Sequence, residues 1–238
     1  MNIDNYQEYK SSYQPAESLD VRVSQVMKRV YVKMFLGLLV TAFVAMFAYQ
    51  SATVTNFFIV NRWAMIALIA VELGLVFGIS GAINKLSSTT ATALFFLFSV
   101  VNGLMLFPIF YVYSDVSIAK TFFITAGVFG AMSVYGYFTT QDLSKWGSFL
   151  IMALIGLIIC SVVNIFLKSG TMDWIISGAG VLIFIGLTAW DTQQIKTMAM
   201  QSPSFSAGKL ATLGALSLYL DFINLFLYLL RFFGSSRD

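Results

Sequence analysis

Seven long apolar runs divide this chain into segments of the length that crosses a lipid bilayer. An α-helix needs about 20 mostly apolar residues to span the hydrocarbon core, and each run meets that requirement. The connections between the runs are short, and no soluble domain is inserted. The pattern predicts an all-α membrane protein whose seven transmembrane helices lie near residues 30–49, 63–80, 90–111, 117–138, 146–167, 174–196 and 211–231.

Residues 1–28 precede the first apolar run and differ from it in composition. They are rich in Ser, Gln, Tyr and charged residues, and they lack the apolar core of a signal peptide. We predict a polar, solvated tail at 1–28, followed by a single seven-helix transmembrane domain at 29–238.

The distribution of basic residues predicts the orientation in the membrane. Of the 14 Lys and Arg residues, nine fall on the N-terminal side of the predicted spans and five on the other side. Loops that face the cytoplasm carry an excess of basic residues. We therefore expect a cytoplasmic N-terminus.

The last apolar run differs from the others because its small and polar residues follow one helical face. They recur at steps of three and four residues, at Gly214, Ser217, Asp221, Asn224, Tyr228 and Arg231. A charged side chain at the centre of a membrane helix costs about 2.5–3.5 kcal/mol on insertion scales. This face is therefore expected to contact protein or water rather than lipid.

Composition excludes several classes of functional site. Charged residues make up 11% of the chain, whereas soluble domains average about 25%. The net charge of +3 is small and dispersed, so the chain lacks the basic patch of a nucleic-acid-binding protein. The sequence has no histidine and one cysteine, Cys160, which excludes His-dependent catalysis and cysteine metal clusters. We expect no enzymatic activity and no resident cofactor.

Two of the three acids within the predicted spans are placed to meet. Asp191 lies near the end of the sixth helix and Asp221 in the seventh, at equal distances from Ser206 in the turn between them. In an antiparallel helical hairpin, residues equally far from the turn lie at the same height. Thr188 and Asn224 are also equidistant from that turn, so we predict a polar layer beside the acid pair.

An acid pair in this environment predicts a proton-controlled latch. Two carboxylates at close range in a low dielectric cannot both ionise easily, and they titrate as a pair. A shared proton would join the two helices through a hydrogen bond. Its loss would repel the helices or leave a dianionic site for a hard cation such as Ca²⁺. The predicted latch and Ca²⁺ site is Asp191 with Asp221, supported by Ser217.

Two further charged residues have more than one interpretation. Glu72 lies near the middle of the second helix, and it either pairs with Asn102 or Asn164 of another helix or lines an ion path. Lys85 follows the second helix on the side of the membrane where Asp191 is expected. It is either a counter-ion of the acid pair or a basic loop residue that sets topology.

The chain resembles the transmembrane Bax-inhibitor-motif family, also called the Bax inhibitor-1 family. The resemblance rests on Gly186, on the sequence Asp191–Thr192–Gln193, and on the last helix, LSLYLDFINLFLYLLRFFG. It extends over residues 30–234 and includes the acid of the second helix.

The resemblance implies a fold and a function. It implies six helices around a central seventh helix, and a pH-sensitive calcium leak in a bacterial cell membrane, with lipid, Ca²⁺ and protons as partners. The family's aspartate latch falls on Asp191 and Asp221. Bacterial relatives can carry an arginine near the end of the second helix that bridges to the latch, whereas this chain offers Lys85, a flexible point donor.

Other membrane functions could use the same acid pair. A proton-coupled transporter of a small solute would be expected to show broken helices in matched halves, and the sequence does not show them. An intramembrane aspartyl protease would carry Gly-x-Gly-Asp before its second acid, whereas Leu218, Tyr219 and Leu220 precede Asp221. A retinal protein would need a lysine in the last span, which has none.

Overall fold

The computed structural model describes residues 15–201, 205–235 and 237, and its fold is all-helical. The helices of this described part, in chain order, are α1 (Pro15–Gln50), α2 (Ala52–Val60), α3 (Arg62–Ala82), α4 (Ser88–Leu106), α5 (Ile109–Val112), α6 (Asp115–Phe138), α7 (Ser144–Leu167), α8 (Gly170–Gln201) and α9 (Ala207–Phe233).

Seven spans in the described residues are long and apolar enough to cross a membrane, which confirms the predicted number. They are formed by α1, α3, α4 with α5, α6, α7, α8 and α9. Pro108 separates α4 from the single turn of α5. Proline lacks the backbone N–H that a continuous helix would use at this point.

The first helix begins earlier than the sequence pattern predicts. The predicted solvated tail at 1–28 is wrong from Pro15 onward, because these residues form the first turns of α1. Val23 is buried there, and Arg22 donates a hydrogen bond of 2.6 Å to the carbonyl group of Phe205. The polar composition of this segment therefore reflects an amphipathic helix end that packs on the α8–α9 connection. The earlier part of that tail lies outside the described residues.

The last helix occupies the centre of the bundle. Fifteen of the 27 residues of α9 are buried, against four of the 24 residues of α7. α9 packs against α1, α4, α6 and α8, while α7 packs against α8 on the outside. The predicted central position of the C-terminal helix is confirmed, and α7 lies at the periphery of the bundle.

A half-buried lysine ties the beginning of α9 to two other helices. The Lys33 amino group donates hydrogen bonds to the hydroxyl groups of Thr92 in α4 and Thr212 in α9, both at 2.7 Å. It also donates to the carbonyl oxygen of Gly208, at 3.2 Å. These bonds fix the start of α9 against α1 and α4.

A polar cluster fixes the middle of α9 against the same neighbours. The buried Tyr219 hydroxyl donates to Asn102 Oδ1 at 2.9 Å, and Asn102 in turn donates to the Glu72 carboxylate in α3. The Thr41 hydroxyl of α1 donates to the Ser99 carbonyl oxygen at 2.9 Å. The Thr41 oxygen also lies within hydrogen-bonding distance of the Tyr219 hydroxyl oxygen, at 2.5 Å. α9 is thus connected to α1, α3 and α4 at one level.

Two glycines bring α6 and α7 close to α8. A Cβ atom at Gly136 of α6 would overlap the backbone carbonyl group of Ala189, and one at Gly147 of α7 would overlap the indole of Trp190. Small residues commonly permit such close helix approaches in membranes. The segment of α8 that leads into Asp191 is therefore held by two neighbouring helices.

Candidate functional site

The carboxyl groups of Asp191 in α8 and Asp221 in α9 lie within hydrogen-bonding reach of each other. They meet at the level that their equal distances from Ser206 predict. Asp221 is 4% exposed, whereas Asp191 is partly exposed. Ser217, one turn before Asp221 in α9, borders the same cavity as both carboxyl groups.

A cavity of about 640 Å³ adjoins the aspartate pair, between α7, α8 and α9. Its polar wall carries both aspartates with Ser217, Asn224 and Tyr228, and most of its other lining side chains are apolar. The polar face predicted for α9 therefore borders a cavity inside the protein. This is the environment that the cost of a charge in lipid requires.

One oxygen of the pair has no partner within the described residues. Asp221 Oδ2 is buried and accepts no hydrogen bond there. The ion pairs found in that part of the chain, Arg231 with Asp173 and Arg237 with Asp115, include neither member of the pair. A proton held between the two carboxyl groups would satisfy the acceptor and remove the repulsion.

The two residues of the predicted polar layer have different roles. Asn224 lines the cavity, and its Nδ2 donates to the carbonyl oxygen of Leu220 at 2.8 Å, which leaves its Oδ1 as an acceptor. Thr188 is fully buried and donates to the carbonyl oxygen of Phe184 at 2.7 Å. The layer is thus polar at both positions, but only Asn224 borders the cavity.

Glu72 lies away from the aspartate cavity. Its carboxylate accepts a hydrogen bond from Asn102, which is one of the two pairings that the sequence left open. The other candidate, Asn164, accepts instead from the backbone N–H of Ser169 at 3.1 Å. A role of Glu72 in an ion path stays a prediction.

Lys85 is not brought to the aspartates. It lies exposed in the turn after α3, and no ion pair within the described residues includes it. α3 packs mainly on α4, and it reaches the aspartate cavity with Ser80. The turn that carries Lys85 lies instead beside the start of α9, where Lys209 donates to the Asn84 carbonyl oxygen at 3.1 Å.

A second cavity, which the sequence did not indicate, lies beyond the first towards the end of α9. It measures about 400 Å³ and is lined by Asn164, Lys168, Asp173 and Arg231, among others. Tyr228 lines the first cavity, and Arg231, at the end of the polar face of α9, lines the second. The continuation of that polar face to Arg231 is the sequence feature that could have indicated this second cavity.

Tyr228 is held in place on several sides. Its ring stacks on Phe184 with centroids 5.8 Å apart, and a Cβ at Gly180 would lie 2.7 Å from the ring. Ser161 of α7 lies near the Tyr228 hydroxyl and donates its own hydrogen to the Leu157 carbonyl oxygen.

Comparison with known proteins agrees with this architecture. A family model described as "Inhibitor of apoptosis-promoting Bax1" matches residues 23–238. The chain belongs to the Bax inhibitor-1 family. The resemblance drawn from Gly186, the Asp191 motif and the last helix is therefore confirmed.

Relatives of this Bax inhibitor-1 family member match it over nearly its whole length. The inner membrane protein YbhL of Escherichia coli K12 is 48% identical over 238 residues, which cover 99% of this chain and 100% of the relative. An uncharacterized protein of Borreliella burgdorferi is 48% identical over 217 residues, covering 90% and 94% of the two chains. The uncharacterized protein RP147 of Rickettsia prowazekii is 41% identical over 223 residues, covering 93% and 94%.

These findings establish an integral membrane protein of the Bax inhibitor-1 family. The name of the Escherichia coli relative describes an inner membrane protein, and none of these names mentions an enzymatic reaction. The names say nothing of an ion, a proton or a transported solute.

Proposed function

We propose that this Bax inhibitor-1 family member is a pH-sensitive Ca²⁺ leak pathway of a bacterial inner membrane. The observation that carries the proposal is the contact between the Asp191 and Asp221 carboxyl groups beside a cavity among membrane-spanning helices. Two acids would be costly in such a position unless a proton or a cation accompanied them.

The proton state of the pair acts as the latch. With one proton, the two carboxyl groups form a hydrogen bond that joins α8 to α9 and closes the pathway. Without it, two negative charges face each other, and no basic side chain pairs with them in the described part of the chain. Repulsion then favours separation of the two helices or entry of a cation.

The oxygen atoms around the cavity suit a hydrated divalent cation in transit. Ca²⁺ takes about 6–8 oxygen ligands and favours carboxylates. The aspartates, the Ser217 hydroxyl and Asn224 Oδ1 supply part of that number, and water supplies the rest. No group of three or more acidic, His or Cys side chains able to hold a metal is found in the described residues. A partly hydrated site releases its ion more readily than a closed protein cage.

The orientation follows from charge and from one relative. The excess of basic residues on the N-terminal side favours a cytoplasmic N-terminus. A relative at 48% identity is an inner membrane protein of Escherichia coli, which supports the same membrane for this chain. The C-terminal end of α9 would then face the outside of the cell, and Asp191 and Asp221 would lie between that end and the cytoplasm.

The test is Ca²⁺ flux into liposomes that contain the purified protein, measured between about pH 5 and 8. We expect the flux to rise with pH as the shared proton is lost. Asp191→Asn and Asp221→Asn should each flatten this pH profile, because an amide does not titrate. Glu72→Gln, which alters a membrane acid outside the cavity, is the control and should keep the profile.

Two results would overturn the proposal. An unchanged pH profile in both asparagine variants would remove the latch. Absence of flux at every pH would remove the leak itself. In that case proton-coupled transport of a small solute would become the better use of the 640 Å³ cavity and its acid pair.

A further inference from the structure

A groove between α1 and α6 is separate from the aspartate cavity. It encloses about 550 Å³, within the range of roughly 300–1,000 Å³ that is usual for small-molecule sites. The wall from α1 includes Met27, Lys28 and Tyr31, and the wall from α6 includes Gly130 and Ser133. No residue assigned to the latch contributes to it.

The groove lies at the membrane surface on the N-terminal side. α1 has 36 residues, which at about 1.5 Å per residue exceeds the roughly 30 Å thickness of the hydrocarbon core. Its first turns, with Ser24 and Lys28, therefore reach the headgroup region. α6 ends at Phe138, and Tyr137 and Phe138 line the same end of the groove.

The lining changes from cationic to apolar along the groove. Lys28 is exposed at the surface end, and the Lys196 amino group lies 5.0 Å from the ring centroid of Tyr137 at that end. Phe129 and Val134 supply apolar surface further along α6. This order of charge and apolar surface matches a molecule with an anionic head and a hydrocarbon tail.

Ser133 provides an independent indication of a ligand. It is 5% exposed and lines the groove, yet its hydroxyl has no hydrogen-bond partner within the described residues. Eight other helical Ser and Thr hydroxyls in that part of the chain donate to the carbonyl oxygen four residues earlier. Ser133 does not, so rotation of its side chain about χ1 would let the hydroxyl donate to an acceptor in the groove, such as a lipid ester oxygen. A buried hydroxyl without a partner is otherwise costly.

We propose that the α1–α6 groove binds one anionic phospholipid, with its phosphate at Lys28 and an acyl chain along Gly130. Gly130 makes room for the chain, because a Cβ built there has no other atom within 4 Å. The lipid joins two helices that have few direct contacts with each other. This site does not depend on the proposed ion flux.

The experiment is native mass spectrometry of the full chain purified in detergent and mixed with equal amounts of phosphatidylglycerol and phosphatidylcholine. We expect one retained lipid, predominantly phosphatidylglycerol. Lys28→Gln should lower the preference for phosphatidylglycerol about fivefold, which corresponds to about 1 kcal/mol for one basic residue near anionic lipid. Gly130→Phe should fill the groove and abolish the retained lipid.

Gly127→Phe is the matched control. Gly127 lies one turn earlier in α6 and also has open space around its Cβ position, but it does not line the groove. This variant should retain the lipid as the unaltered chain does. Circular dichroism and the unfolding temperature in phosphatidylcholine nanodiscs verify that both phenylalanine variants fold.

Three outcomes would overturn the proposal. Equal lipid retention in Gly130→Phe and Gly127→Phe would show that the groove is not the site. Equal retention of the two lipids, unaffected by Lys28→Gln, would remove the anionic headgroup. A dimer that Gly130→Phe abolishes would identify a second copy of the chain as the occupant instead.

Discussion

The two polar clusters of α9 differ in how completely their hydrogen bonds are satisfied. Tyr219 and Asp221 are separated by one residue, so they leave the helix on different faces. On one face, Tyr219 bonds with Asn102 and Thr41, and Asn102 bonds with Glu72. On the other, Asp221 meets Asp191 and keeps an oxygen without a donor in the described residues.

This difference separates anchoring from switching within one helix. A buried polar network stabilises a unique arrangement when each member has a partner. A buried acceptor without one raises the free energy of the state that contains it. The Tyr219 cluster therefore fixes α9 against α1 and α4, whereas under the proposed latch a single proton controls the contact between α9 and α8.

The largest expected effect on stability comes from removing the anchor. Tyr219→Ala should lower the free energy of unfolding by about 3–5 kcal/mol, because it leaves a cavity at a fully buried ring. Chemical denaturation in detergent micelles measures this loss. Tyr219→Phe keeps the ring and should cost about 0.6–1.7 kcal/mol, the range for hydrogen bonds between membrane helices. Equal losses in the two variants would contradict packing as the main contribution of Tyr219.

Removal of the latch should have the opposite effect on stability. Replacing Asp191 and Asp221 together by Leu removes one buried and one partly buried acid, and replacing buried charged groups by apolar ones is often neutral or stabilising by about 1–4 kcal/mol. The same denaturation assay applies, with liposome flux measured in parallel. We expect unchanged or increased stability together with loss of the pH response. A marked loss of stability would mean that the pair is structural.

A smaller effect should follow from neutralising the acid of the anchor. Glu72→Gln retains an oxygen that can accept from Asn102, so we expect a loss of stability below about 1 kcal/mol. The flux profile with pH should stay unchanged. A displaced profile would place Glu72 in the ion path and would weaken the division between anchor and switch.

The smallest effect should come from the hydroxyl beside the latch. Ser217→Ala removes a hydroxyl that borders the cavity beside both carboxyl groups and could donate to either when it is ionised. The midpoint of the flux profile should therefore move to higher pH, by less than about one unit. Asn224→Ala, at the neighbouring cavity position, is the comparison. A midpoint that moves to lower pH would contradict the role given to Ser217.

The sequence predicted best what depends on spacing along one or two helices. Hydropathy located the seven spans because each is a continuous apolar segment. The meeting of Asp191 and Asp221 was predictable because a short turn fixes the height of two consecutive antiparallel helices. Neither prediction required knowledge of how distant helices pack.

Features that depend on distant packing could not be predicted in this way. The sequence offered two alternative hydrogen-bond partners for Glu72, Asn102 and Asn164. It could not decide between them because a sequence pattern does not fix which other helices α3 contacts. It offered Lys85 as a counter-ion but could not show that α3 packs mainly on α4 and leaves Lys85 outside the aspartate cavity. The start of α1 was missed because Arg22 makes its bonds far along the chain, with Ala199 in the last turn of α8 and with Phe205 after it.

The glycine contacts at Gly136 and Gly147 have a mechanical consequence. They lock α8 to α6 and α7 immediately before Asp191, just as the Tyr219 cluster locks α9 to α1 and α4. The bundle can then be regarded as two blocks that meet at a seam, with one aspartate on each side. We expect opening to be a small displacement of one block relative to the other. A side chain larger than glycine at position 136 or 147 would displace the block that contains α8, and Asp191 would move with it.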